Sequence, residues 1–282
     1  MATFKNQAQL TYDGRTVVSN VVSGEITEPL SITMNALVSE YSSDDTVTYV
    51  ITLTNSGQAA VTNVTLTDDL GAYAFGENTL VPLDYTVESI IVITNGTIQP
   101  TPTVSSVSPL TVEGIAVPAG GNTVVIYETH TNAYTPLETE GSITNTVTAE
   151  SAVLVDSITT SETVTATAAA ELTMIKSLSP DTVVTSGTVT YTFEIANTGN
   201  TASPADVMVI DTFDPALNGI SVTFNGTAWT EGAGYNYDPE TGVFSTVAGQ
   251  ITVPAASFSQ DTTTGEYIVT PGTATLVVTG TI

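Results

Sequence analysis

An internal repeat, out of phase with the ends of the chain, limits the folds open to these 282 residues. Thr188–Gly199 (TVTYTFEIANTG) matches Thr46–Gly57 (TVTYVITLTNSG) at an offset of 188 − 46 = 142. Beyond it, residues 206–213 (DVMVIDTF) match 63–70 (NVTLTDDL) with one residue of slippage. Each copy therefore contains an alternating strand, an Asn-x-Gly turn and a second strand ending at an acidic residue.

The two copies end differently. The first closes with Ile143–Ala149 (ITNTVTA), whereas the second runs through Pro271–Ile282, the counterpart of roughly 118–130, and stops. A sequence like the closing strand stands at the other end of the chain. Phe4–Leu10 (FKNQAQL) aligns with Ile143–Ala149 and puts Asn6 on Asn145. Period-2 alternation places Phe4, Asn6, Ala8, Leu10 and Tyr12 on one face, before an Asp13-Gly14 turn signal. A strand-like run follows each copy, at 16–26 and at 158–166.

This layout predicts a donor strand and connector over 1–28, one β-sandwich over 29–150 and a second, incomplete one over 151–282. Turn signals between short β-branched runs point to an all-β chain of two tandem immunoglobulin-like sandwiches. The second is expected to be completed by the N-terminal strand of a neighbouring subunit, because an unclosed sandwich leaves backbone edges unpaired. Leu172, Met174, Leu276 and Val278 are the expected lining of its acceptor groove. A donor at one end and an acceptor at the other make a head-to-tail homopolymer.

Composition removes other classes. Three Lys and Arg against 29 Asp and Glu give a net charge of −26, so nothing neutralises phosphates and a nucleic-acid partner is excluded. Anionic lipid is disfavoured for the same reason, and no run approaches membrane-spanning length. No Cys and a single His, His130, leave no basis for thiolate or histidine metal sites or a catalytic triad. No cofactor and no metal are expected; Asp44-Asp45 and Asp68-Asp69 read as solvated, without the regular loop of a calcium site. The N-terminus lacks the apolar run of a secretory signal, so export takes another route, cell lysis included, or the signal has already been removed.

One constellation could carry chemistry. Lys176 continues the inward alternation of Leu172 and Met174, and Asp211 ends the Val207/Val209 run. Asn6 lies on the inward face of the donor strand. A buried Lys, a buried acid and an Asn are the parts of a spontaneous isopeptide bond. Desolvation would favour a neutral Lys176 nucleophile, and a protonated Asp211 would act as the acid that polarises the Asn6 carbonyl. The link would join two subunits; beyond this autocatalysis the chain is not expected to be an enzyme. The same residues allow a buried ion pair without covalent chemistry, or a Lys176 that reaches water from a strand end. In the first copy Met34 stands where Lys176 stands in the second.

These motifs resemble the bacterial surface repeat called DUF11. They are Leu172–Pro180 with its Lys176, Val189-Thr190-Tyr191, Asn197-Thr198-Gly199 and Asp211, with Val47-Thr48-Tyr49, Asn55-Ser56-Gly57, Asp68 and Asn145-Thr146-Val147 in the first copy. The resemblance implies a stalk or fibre module on a bacterial cell or spore surface, similar to donor-strand fibres and to pilin domains with isopeptide bonds. A surface adhesin that does not polymerise is the alternative, with the Gly226–Pro239 loop, holding Trp229, Tyr235 and Tyr237, as its candidate site.

Overall fold

The computed structural model describes residues 2–26 and 29–282, and every regular element in them is a strand. Thr27 and Glu28, within the expected connector, lie outside the described residues. The chain divides into two compact units, residues 1–135 with 142–165, and residues 136–141 with 166–282. The boundary expected after residue 150 moves because the run at 158–166 pairs along the first unit's closing strand.

The N-terminal residues form an arm of four strands: β1 (Ala2–Asn6), β2 (Gln9–Tyr12), β3 (Arg15–Val18) and β4 (Val22–Ile26). β1 pairs with β4, and β2 with β3 across the Asp13-Gly14 turn. The expected single strand over Phe4–Tyr12 is thus two strands, and both find partners in their own arm. The arm is a long hairpin, interrupted where Gln7-Ala8 faces the three residues 19–21.

The rest of the first unit begins with β5 (Leu30–Ala36), β6 (Glu40–Tyr41), β7 (Thr46–Asn55) and β8 (Val61–Asp68). Short strands follow: β9 (Tyr73–Phe75), β10 (Asn78–Leu80), β11 (Leu83–Tyr85), β12 (Ile91–Thr94) and β13 (Thr97–Ile98). It ends with β14 (Thr103–Val107), β15 (Leu110–Val117), β16 (Asn122–Thr131), β17 (Ser142–Glu150) and β18 (Ile158–Ala166). One sheet is ordered β13-β12-β16-β7-β5, with β11 also on β16; the other is β14-β15-β8-β17-β18-β6. Alternation buries Val47, Tyr49, Ile51 and Leu53 of β7 and Val64, Leu66 and Asp68 of β8. The closing strand β17 sits inside its sheet, between β8 and β18.

The second unit contains β19 (Leu172–Ser179), β20 (Thr188–Asn197), β21 (Ile210–Thr212), β22 (Asn218–Phe224) and β23 (Thr227–Trp229). β24 (Tyr235–Tyr237), β25 (Val243–Thr246), β26 (Ser257–Gln260), β27 (Tyr267–Thr270) and β28 (Gly272–Thr281) complete it. Its first sheet, β19-β20-β28-β22-β23, repeats the first unit's β5-β7-β16-β12-β13. The repeat offset survives in the register, since Met34 faces Ile51 and Lys176 faces Phe193. The second sheet, β24-β25-β21, repeats β14-β15-β8 and then stops. Asp211 faces Phe244 as Asp68 faces Leu110. The positions of β17 and β18 are unfilled by the described residues.

Candidate functional site

The first unit supplies the pattern of a closed site. Asn145, on β17, donates through Nδ2 to Asp68 Oδ2 (3.2 Å) and to Tyr127 Oη (3.2 Å). Its Oδ1 accepts the Gly71 N–H at 3.0 Å. Tyr127 donates its hydroxyl to Asp68 Oδ2, and the Leu70 N–H reaches Asp68 Oδ1 at 2.8 Å. Asp68, expected to be solvated, is instead 2% exposed, and burial pushes its carboxyl up to about 7 against the opposing pull of these donors. Tyr127 is also pushed up, by burial and by the neighbouring carboxylate. Met34 is buried on β5, so no amine enters the group from that strand.

In the second unit the acid gains an amine and lacks an amide. Lys176 Nζ forms an ion pair with Asp211 Oδ2. The same ammonium lies 4.7 Å from the ring centre of Tyr191, 5.4 Å from Phe193 and 5.5 Å from Phe213, a cation–π cage on three sides. Asp211 Oδ1 also accepts the Thr212 N–H at 2.9 Å. Val278 occupies the place of Tyr127, since Val278 faces Tyr191 as Tyr127 faces Tyr49.

Burial separates the two sites. Leu30 of β5 is 3% exposed, whereas its counterpart Leu172 on β19 is 36% exposed and Met174, the counterpart of Ile32, is 51% exposed. The Lys176 side chain is 38% exposed and that of Asp211 17%. The burial expected for the Lys and the acid is not reached in the single chain, where the pair stands at an open face. The physical cause is the unfilled position beside β21, which in the first unit β17 covers.

Two expected groove residues do not line that opening. Leu276 and Val278 are fully buried core on β28, an interior strand held between β20 and β22. Leu172 and Met174 do stand open, on β19. In the arm, Phe4, Leu10 and Tyr12 are half or more exposed, and Asn6 and Ala8 are exposed. Asn6 faces Val22 across the β1–β4 ladder, so the structure brings Lys176 and Asp211 together and leaves Asn6 in the arm. Tyr127 went unforeseen; its one sequence signal is its place in the inward alternation with Val125.

The aromatic side chains of the Gly226–Pro239 loop pack against neighbouring strands of the second unit. Trp229 stacks on Phe224 with ring centres 5.0 Å apart, and Tyr235 stacks on Phe244 at 5.7 Å. Tyr237 Oη accepts the Leu217 N–H at 2.7 Å and lies 2.9 Å from the Leu217 carbonyl oxygen, to which it donates. Its aromatic residues thus serve the core of the second unit rather than a surface patch.

No family model and no curated protein matches the chain, so the likeness to DUF11 rests on its motifs alone. Among solved structures, the chain is similar to BcpA, the major pilin subunit of Bacillus cereus, at 10% identity and a TM-score of 0.38, over 96% of this chain and 73% of that one. It is similar to the pilus backbone RrgB of Streptococcus pneumoniae at 12% identity and a TM-score of 0.35, over 86% of this chain and 55% of that one. A collagen-binding domain from a Staphylococcus aureus adhesin aligns at 12% identity and a TM-score of 0.29, over 49% of this chain and 98% of that domain.

Proposed function

We propose that the chain is a structural subunit of a self-assembling fibre on a bacterial cell or spore surface, in which the N-terminal arm of one copy completes the second unit of the next. One observation carries this reading: the apolar strand face that is buried on β5 in the first unit is uncovered on its counterpart β19 in the second, where the strand position beside β21 is unfilled by the described residues. An uncovered face beside a free strand edge is a template for another strand, and pairing it with a donor from an identical chain gives an open, head-to-tail polymer. The arm carries the sequence that aligns with β17.

The same docking sets up a covalent link. Placed as Asn145 is placed beside Asp68, Asn6 of one subunit meets the Lys176–Asp211 pair of the next. After Lys176 passes a proton to Asp211, its neutral amine attacks Asn6 Cγ. The Nζ–Cγ bond forms and the Cγ–Nδ2 bond breaks. Asp211 relays protons from the attacking amine to the departing nitrogen, which leaves as ammonia. Nothing is oxidised or reduced. Each link removes about 17 Da, the mass of ammonia released by this acyl substitution.

The test is negative-stain microscopy of the purified chain beside a gel of sample boiled in SDS. Filaments and a boiling-resistant ladder are expected. Deleting residues 1–12 should leave soluble monomers, and Lys176→Ala should leave filaments that come apart in denaturant. Filaments that persist after the deletion would overturn the reading.

A further inference from the structure

We infer that the element donated to the neighbouring subunit is a two-stranded hairpin, β1 with β4, and that it fills two vacant strand positions of the second unit. This inference rests on the fibre reading above and goes beyond it in the shape of the donor and in the surface that receives it.

The arm pairs β1 with β4 in an antiparallel ladder, as β17 pairs with β18. Ile143 faces Val164, Thr144 faces Thr163 and Asn145 faces Glu162. In the arm Phe4 faces Gly24, Lys5 faces Ser23 and Asn6 faces Val22. With Asn6 set on Asn145, the antiparallel ladder puts Val22, Ser23 and Gly24 at the places of Glu162, Thr163 and Val164. Cross-strand bulk is redistributed within the first pair. Phe4 is larger than Ile143, and Gly24 replaces Val164. The Phe4 ring lies where a side chain at 24 would go, with Cζ 2.4 Å from the position a Cβ would take. Glycine at 24 is what lets the bulkier ring keep the pair's combined volume on one face.

Among the described residues, no strand occupies either place such a hairpin would need. In the first unit β17 pairs with β8, Thr148 facing Thr67, while β18 runs beside β6. The Thr165 N–H bonds the Ser39 carbonyl at the β6 end. In the second unit β21 has no second neighbour among the described residues, and 182–183, the counterpart of β6, form no strand. A single donated strand would pair β21 and leave 181–183 without a ladder. A hairpin supplies both, with Gln9 against Ile210 from β2, the continuation of β1, and Glu25 against Asp181 on the β4 side. All four of these residues are exposed, or lie in the accessible segments, of the single chain.

The chain has no cysteine, so introduced thiols report one contact each. Two full-length double variants, each in the Lys176→Ala background, separate the readings: Gln9→Cys with Ile210→Cys, and Glu25→Cys with Asp181→Cys. Assembled protein is treated with a short bismaleimide and run on a denaturing gel. A ladder of multimers from both variants is the expected result. A ladder from the first variant alone would overturn the hairpin while leaving strand donation intact. No ladder from either variant would refute donation itself, and the fibre reading with it. Gly24→Val adds a second readout. Its side chain meets the Phe4 ring, so at least a tenfold loss of assembly rate is expected, with the thermal unfolding of the two units unchanged; unaltered assembly would count against the hairpin.

Discussion

Asp68 sits in a buried group whose protonation the fold controls. An unfolded aspartate titrates near 4, as reference values go, whereas burial moves folded Asp68 to about 7. Between those values the folded unit holds a proton that the unfolded chain has lost. The stabilisation is therefore complete below about pH 4 and is lost as pH rises through 7, with a total of order a few kcal/mol. Asp68→Asn keeps a neutral group in place and removes that slope. Thermal unfolding of the first unit from pH 4 to 8 should fall in the wild type relative to Asp68→Asn; parallel curves would sink the assignment. Asn197 supports the second unit differently. Its Nδ2 donates to the Thr201 and Pro254 carbonyls at 2.7 and 3.0 Å, and its Oδ1 accepts the Glu171 and Gly199 N–H groups at 3.0 Å each. Asn197 is itself fully buried, and Asn197→Ala removes all four of these hydrogen bonds, so a loss of about 1–3 kcal/mol in chemical denaturation is expected. The Asn-x-Gly motif was legible as a turn; that its Asn staples three loops depends on partners up to 57 residues away.

At the scale of elements, strands follow the alternation in sequence closely. β7 and β20 share both boundaries at the repeat offset, because one face of each is buried and a slip by one residue would turn every apolar side chain outward. The arm was less legible. Phe4–Tyr12 alternates cleanly, but alternation does not name a strand's partner, and the partner lies in 15–26 of the same arm. Phe4, 55% exposed in the single chain, is the largest apolar side chain of β1. If docking buries it, Phe4→Ala removes about 1.5–3 kcal/mol of transfer free energy. The critical concentration for assembly should rise roughly 10- to 100-fold by the same estimate. Sedimentation of the polymer against total concentration measures this, and an unchanged critical concentration would place Phe4 outside the contact.

At the scale of the whole molecule, charge governs how copies meet. Each chain carries −26, so copies repel over distances comparable to the Debye length. Raising salt from 10 to 150 mM shortens that length from roughly 30 to 8 Å, and assembly followed by light scattering should accelerate. A rate that falls with salt would mean that ionic attraction, and not apolar docking, drives association. The sequence by itself determined the all-β class, the 142-residue repeat and the apolar faces on which Lys176 and Asp211 each lie, because side-chain periodicity and residue type are local properties that a strand cannot evade. Only the tertiary structure decided that the N-terminal stretch folds as a hairpin, that Leu276 and Val278 lie in the closed core, and that the Lys176 site stands open. Those outcomes depend on which edges find neighbours across the fold, and pairing between distant strands leaves no mark on either strand alone.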